Sequence, residues 1–300
     1  MANQFIRWLG CFLFGVSFPL SAQVVYDMRG ADKAPDIALP SEPIDISTVQ
    51  EPRLALYKPK GDGPFPALVL MHQCGGLGRP DGPWKNMSML EWAREGVARG
   101  YVVLQMDSLN PRNVGSVCQG PKNDVFPSRG IRDALLAASH VRKLPFVDPK
   151  RVAYAGFSWG GGVGLGISTR RSTELLGIPE RYDAVASVYP PCVYYPKNGA
   201  PYTSIMPGID KPLLVLLGGK DDETPPGDCT RLLTPLKDAG EKVEWHLYPD
   251  ATHCWDCKNL HGRTKTDIKG TLVEYLHDEA VTKDSIKRTF EFFEQAFVAR

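Results

Sequence analysis

Three side-chain types that together make a nucleophile occur in one order along this chain. Ser158 sits in "AGFSWGG", the acids Asp221 and Asp222 in "LLGGKDDETPP", and His253 in "YPDATHCWD". A hydroxyl attacks a carbonyl poorly until an imidazole takes its proton, and the imidazole needs a carboxylate to fix its tautomer and stabilise its charged form. The order Ser, Asp, His accompanies the sharp strand-to-helix turn Gly-x-Ser-x-Gly, supplied here by Gly156, Ser158 and Gly160. In a chain with 29 glycines that pattern alone is weak. Its context strengthens it, because an apolar run precedes it, a helical segment follows it, and the acid and histidine come after later apolar runs. The chemistry expected is acyl transfer, with two backbone N–H groups stabilising the oxyanion. One belongs to Trp159, the residue after the serine, and the other to "MHQCGG", at Cys74 with Gln73 as the alternative.

These groups must be carried by elements that converge. The short runs "RLALYKP" and "PALVLMH", separated by the turn-forming "KGDGPFP", read as adjacent strands. "YVVLQMD", "RVAYAGF", "AVASVYP", "PLLVLLG" and "KVEWHLYP" read as further strands, most of them separated by segments of helical periodicity such as "NMSMLEWAREGVARG" and "GIRDALLAASHVRKL". Runs apolar on both faces need cover on both sides. The fold class is therefore α/β, a mainly parallel sheet with helices on both faces, in one domain spanning residues 23–300. In such sheets functional groups gather at the carboxyl ends of strands, where Ser158, Asp221, Asp222 and His253 all fall. Near the chain end, Ile286, Phe290, Phe293 and Phe297 recur at helical spacing and are expected to pack on the sheet.

The 300 residues are 43% hydrophobic, enough for a sizeable core. Residues 1–22 carry Arg7, the apolar run Trp8–Leu20 and then small residues, the pattern of a secretory signal peptide cleaved after Ala22. The run is too short, and too interrupted by Pro19, to span a membrane. Removing it takes one arginine from 35 basic residues and none of the 34 acidic ones, leaving no net formal charge. Such a balance recruits neither nucleic acid nor an anionic membrane. Of seven cysteines, Cys74, Cys118, Cys192, Cys229, Cys254 and Cys257 remain, an even set suited to disulfides in a secreted or periplasmic protein. His253, Cys254, Cys257 and His261 have ligand-like spacing, but the histidine is claimed by the serine site and the compartment favours disulfides, so no metal is expected.

Taken together, "GPFPALVLMHQCGG", "VVLQMDSLNPRN", "GIRDALLAASHVRKLPFVDPKRVAYAGFSWGG", "LLVLLGGKDDETPP" and "YPDATHCWD" resemble the dienelactone hydrolase family of α/β-hydrolases. The resemblance implies a sheet of about eight strands, no cofactor, and hydrolysis of an ester or lactone through an acyl-enzyme. It implies Ser158 as nucleophile, His253 as base and Asp221 as acid, in the Asp-x-x-Thr-Pro slot formed with Thr224 and Pro225, with Asp222 in reserve. The namesake enzymes use a cysteine nucleophile, and the serine here departs from them.

Cys74 and Cys118 follow neighbouring strands and are expected to be bonded; the pairing of the other four cysteines stays open. Aromatic residues in loops after strands are candidate substrate contacts, Trp159, Trp255 and Tyr189 foremost, with Tyr194, Tyr195 and Tyr202 beside them. His72 reads as a structural histidine. The partner expected is a small-molecule or polymeric ester, and the protein a monomer. Two other readings remain: an amide or peptide hydrolase on the same triad, separated by comparing ester with peptide turnover, and a secreted binding protein, separated by a fluorophosphonate probe that fails to label Ser158.

Overall fold

The computed structural model describes residues 27–46, 51–79 and 81–299. The signal peptide read at residues 1–22 lies outside them. In chain order the strands are β1 (Ala55–Tyr57), β2 (Phe65–Met71), β3 (Val102–Gln105), β4 (Val147–Phe157), β5 (Ala184–Val188), β6 (Val193–Tyr194), β7 (Tyr202–Thr203), β8 (Leu213–Gly218), β9 (Val243–Tyr248), β10 (Arg263–Thr266) and β11 (Leu272–Tyr275). The helices are α1 (Met87–Ala98), α2 (Pro127–Arg142), α3 (Trp159–Ile167), α4 (Arg170–Leu176), α5 (Pro226–Asp238) and α6 (Glu279–Val298).

Seven strands form one sheet in the order β1-β3-β2-β4-β5-β8-β9, parallel throughout except for β1. They are the seven apolar runs, where the resemblance implies about eight. The period-two geometry of a strand divides β2 between two cores. Val69 and Met71 join Ile131 and Leu135 of α2 and Val163 of α3 on one face, while Leu68 and Leu70 join Leu90 and Trp92 of α1 and Phe290 and Phe293 of α6 on the other. Each such side chain fully buried contributes about 1.5–3 kcal/mol. Phe297 packs at the edge of the second core, completing the helical stripe.

β1 and β2 are not neighbours, contrary to the sequence reading. β3 enters between them, parallel to β2 and antiparallel to β1. Because β3 and β4 occupy both edges of β2, three-residue β1 can only cap the sheet. Two antiparallel hairpins, β6–β7 and β10–β11, stand outside the sheet.

Residues before β1 are tied to α2. Arg112 and Arg129, both buried, share Asp133 at 2.7 and 2.6 Å. Other guanidinium donors reach the leading segment: Arg129 donates to Ala31 O and Ala34 O at 3.0 and 2.7 Å, and Arg112 to Pro35 O at 2.6 Å, while Arg112 also donates to Ser108 O at 2.8 Å. Among the described residues no helix is long and apolar enough to cross a membrane.

Candidate active site

β4 turns into α3 through Ser158, whose φ of 49° and ψ of −112° lie where a residue with a side chain is rarely found. Its neighbours explain how the chain tolerates this. A methyl group on Gly160 would stand 2.5 Å from Met71 O and 2.7 Å from His72 O, and one on Gly156 would strike Gly160 O. Only hydrogen at both positions lets the turn close against β2. Ser158 N–H donates to Val188 O and Gly162 N–H to Ser158 O, each at 2.9 Å, fixing the strained residue from both sides.

The ends of β8 and β9 deliver the two partners. His253 Nε2 lies 2.9 Å from Ser158 Oγ, and His253 Nδ1 lies 2.7 Å from Asp221 Oδ2. A carboxylate only accepts, so Nδ1 carries the hydrogen and Nε2 is left as acceptor for the serine hydroxyl. Asp221 is itself held by Glu223 N–H at 3.0 Å, Thr224 N–H at 2.8 Å and Thr224 Oγ1–H at 2.7 Å. Asp222 is exposed. Of the acid pair, Asp221 is therefore the one that meets the imidazole. Burial pushes the His253 pKa down, but Asp221 and Glu223 together outweigh it and hold it above the ordinary value.

Glu223 had no place in the sequence reading. Its Oε2 is 3.8 Å from His253 Nε2, on the nitrogen that faces the serine. The β10–β11 hairpin fixes it: Lys265 Nζ donates to Oε1 and Tyr275 OH to Oε2, both at 2.7 Å. Burial opposes its charge, yet His253, Lys265 and the Tyr275 hydroxyl keep its carboxyl below the usual range. A second carboxylate thus stands beside the imidazole, brought there by residues 42 and 52 positions later.

Trp159 N–H begins α3, where no intrahelical acceptor exists, and neither it nor Cys74 N–H meets an acceptor among the described residues. Gln73 is engaged through its side chain, with Nε2 donating to Tyr189 OH at 3.1 Å and Oε1 accepting from Asn86. His72 is buried, with Nδ1 donating to Gln73 O at 2.7 Å and Nε2 accepting from Ser108 N–H at 3.0 Å; burial lowers its pKa. Both of its nitrogens are committed to holding the loop after β2.

Cys74 is bonded to Cys118, Cys192 to Cys229, and Cys254 to Cys257. Val117 N–H also donates to Cys74 O at 2.9 Å, so the loop after β2 is tied twice to the one after β3. The histidine and cysteine spacing near the chain end does not form one cluster. His253 faces Ser158, the sulfurs of Cys254 and Cys257 are bonded to each other, and His261 Nδ1 accepts from His277 N–H at 3.1 Å.

Two of the expected substrate contacts are corrected. Trp255 is fully buried, edge-on to Tyr189 and Tyr248 with its indole N–H donating to Ser285 Oγ at 3.3 Å. Tyr189, also buried, donates to Asp256 Oδ1 at 2.6 Å and sets its ring edge-on to His253. Asp256, whose pKa burial raises, accepts from Trp92 Nε1 at 2.9 Å as well. Both aromatics support the histidine loop from behind because their polar tips find partners inside. Trp159, Tyr194, Tyr195 and Tyr202 do border the cavity at Ser158.

Comparison with known proteins identifies the family and the fold. The Dienelactone hydrolase family matches residues 53–297. "Probable dipeptidyl-aminopeptidase B" of Metarhizium robertsii is 29% identical over 177 residues, covering 51% of this chain and 18% of that protein. Esterase FrsA of Shigella boydii is 31% identical over 129 residues, covering 41% of this chain and 26% of that protein. The chain thus spans only a minor part of these two curated relatives. A butyrate-bound thermophilic esterase from Thermogutta terrifontis superposes with a TM-score of 0.57 at 17% identity, over 80% of this chain and 88% of that one, a likeness of fold.

Proposed function

The chain belongs to the dienelactone hydrolase family, and on that footing we propose that it is a serine esterase that cleaves carboxylic esters through an acyl-enzyme on Ser158, His253 and Asp221. The observation that carries the reading is the unbroken relay from Ser158 Oγ to His253 Nε2 at 2.9 Å and from Nδ1 to Asp221 Oδ2 at 2.7 Å. His253 takes the serine proton as Oγ attacks the ester carbonyl. The N–H groups of Trp159 and Cys74 receive the oxyanion. Collapse breaks the bond to the alkoxy oxygen, which leaves as alcohol with the proton from Nε2. Water then attacks the acyl carbon, again losing a proton to His253, and the acid departs as Oγ regains its hydrogen. Every step uses this chain's own groups.

Export through the N-terminal signal peptide, leaving residues 23–300 as a single domain, belongs to the same reading, supported by three disulfides among the described residues. The test is Ser158→Ala assayed on 4-nitrophenyl butyrate, alongside fluorophosphonate labelling of the unaltered protein. Loss of turnover by at least 10³-fold with the melting temperature preserved is expected, by the usual cost of removing a triad member. Undiminished turnover, or a probe that leaves Ser158 unlabelled, overturns it. The identity to an aminopeptidase favours amide cleavage as a second reading. Turnover of a matched amide comparable with that of the ester would decide for it.

A further inference from the structure

Two cavities meet at Ser158, and they differ in size and walls. One, of about 140 Å³, is bordered mostly by apolar groups, among them Val117, Pro191, Tyr194, Tyr202 and Ile268, with the charged Asp267 and Lys269 beside them. The other, of about 340 Å³, is bordered by Trp84, Leu260, Arg263, Lys265, Tyr275 and His253. Cys74, Cys118, Ser158 and Glu223 border both and mark the neck between them.

The chemistry of the relay assigns a half of the ester to each side. The alkoxy oxygen must take its proton from His253 Nε2, so the alcohol half leaves on the side His253 borders. That is the larger cavity. The smaller cavity touches Ser158, Trp159 and Thr224 without His253, and is left for the acyl half. An apolar cavity of about 150 Å³ accepts one benzene ring. Deepening the esterase reading, on which this rests, we propose that the protein selects esters of compact apolar acids, up to a single ring or a chain of about six carbons, joined to a bulkier alcohol.

The test exchanges the two halves within one molecular formula. Octyl phenylacetate presents the ring as acid and the long chain as alcohol; benzyl nonanoate reverses them, with a primary alcohol leaving in both. 4-Nitrophenyl acetate serves as the reference for hydrolysis itself. Octyl phenylacetate is expected to exceed benzyl nonanoate at least tenfold in kcat/KM, and Tyr202→Ala, which widens the small cavity, to narrow that ratio by accelerating benzyl nonanoate. If the acetate is cleaved but the two isomers are equal, reversed or both inert, or if Tyr202→Ala leaves the ratio unchanged, the assignment of halves is wrong. If the acetate is not cleaved either, the fault lies in the esterase reading instead.

Discussion

Replacing Glu223 by glutamine tests the electrostatics of the relay directly. The carboxylate stands 3.8 Å from His253 Nε2. Two unit charges at that distance interact by about 1 kcal/mol in a water-like dielectric and by about 4 kcal/mol at an effective value near 20. Lys265, 2.7 Å from the other oxygen of Glu223, offsets part of this, since it disfavours the imidazolium. What Glu223→Gln removes is therefore a favourable interaction with the imidazolium that lies between these limits. The sign follows from the charge. Glu223 favours protonated His253, whereas the base works when neutral, so Glu223→Gln lowers the histidine pKa and moves the acid limb of the kcat/KM profile to lower pH. Glutamine keeps an oxygen for Tyr275 OH, which separates loss of charge from loss of shape. Lys265→Met should move the same limb upward. The assay is the pH dependence of kcat/KM on 4-nitrophenyl acetate. An acid limb that stays in place in Glu223→Gln, or that rises, would refute the reasoning.

Gly160→Ala forces a methyl group against Met71 O and His72 O, so the turn must shift; a displacement near 1 Å should lower kcat by about 10²-fold, measured against folded protein verified by circular dichroism. The paired change Cys74→Ser with Cys118→Ser opens a loop with a sequence separation of 44. Chain entropy then predicts about 4 kcal/mol of lost stability in urea unfolding; a loss under about 1 kcal/mol would mean the bond orders the loop without stabilising the fold.

The sheet was legible because β4, β5 and β8 are apolar on both faces, a pattern a doubly covered strand requires. Ser158, Asp221 and His253 were legible because strand ends in a parallel sheet converge whatever the loops do. What stayed hidden depends on loops and register. β3 separates β1 from β2 although β1 and β2 are consecutive in the chain. Glu223 reaches His253 only because a hairpin forty residues later supplies Lys265 and Tyr275, and two-residue strands such as β6 carry too little pattern to announce themselves. Trp255 and Tyr189 misled because position after a strand does not tell whether an aromatic ring faces solvent or Asp256 and Ser285.

The clamp on the leading segment bears on the order in which the molecule can assemble. Arg129 reaches back 98 and 95 residues to Ala31 O and Ala34 O, and Arg112 reaches back 77 to Pro35 O. The stretch synthesised early therefore finds its seat only after α2 and the loop after β3 have come together, and until then Arg129 of α2 and Arg112 of that loop share one interior carboxylate. A chain trimmed to begin at β1 would retain the sheet and the serine turn but bury cations without their carbonyl partners, which makes this unremarkable-looking stretch a late and obligatory part of the interior.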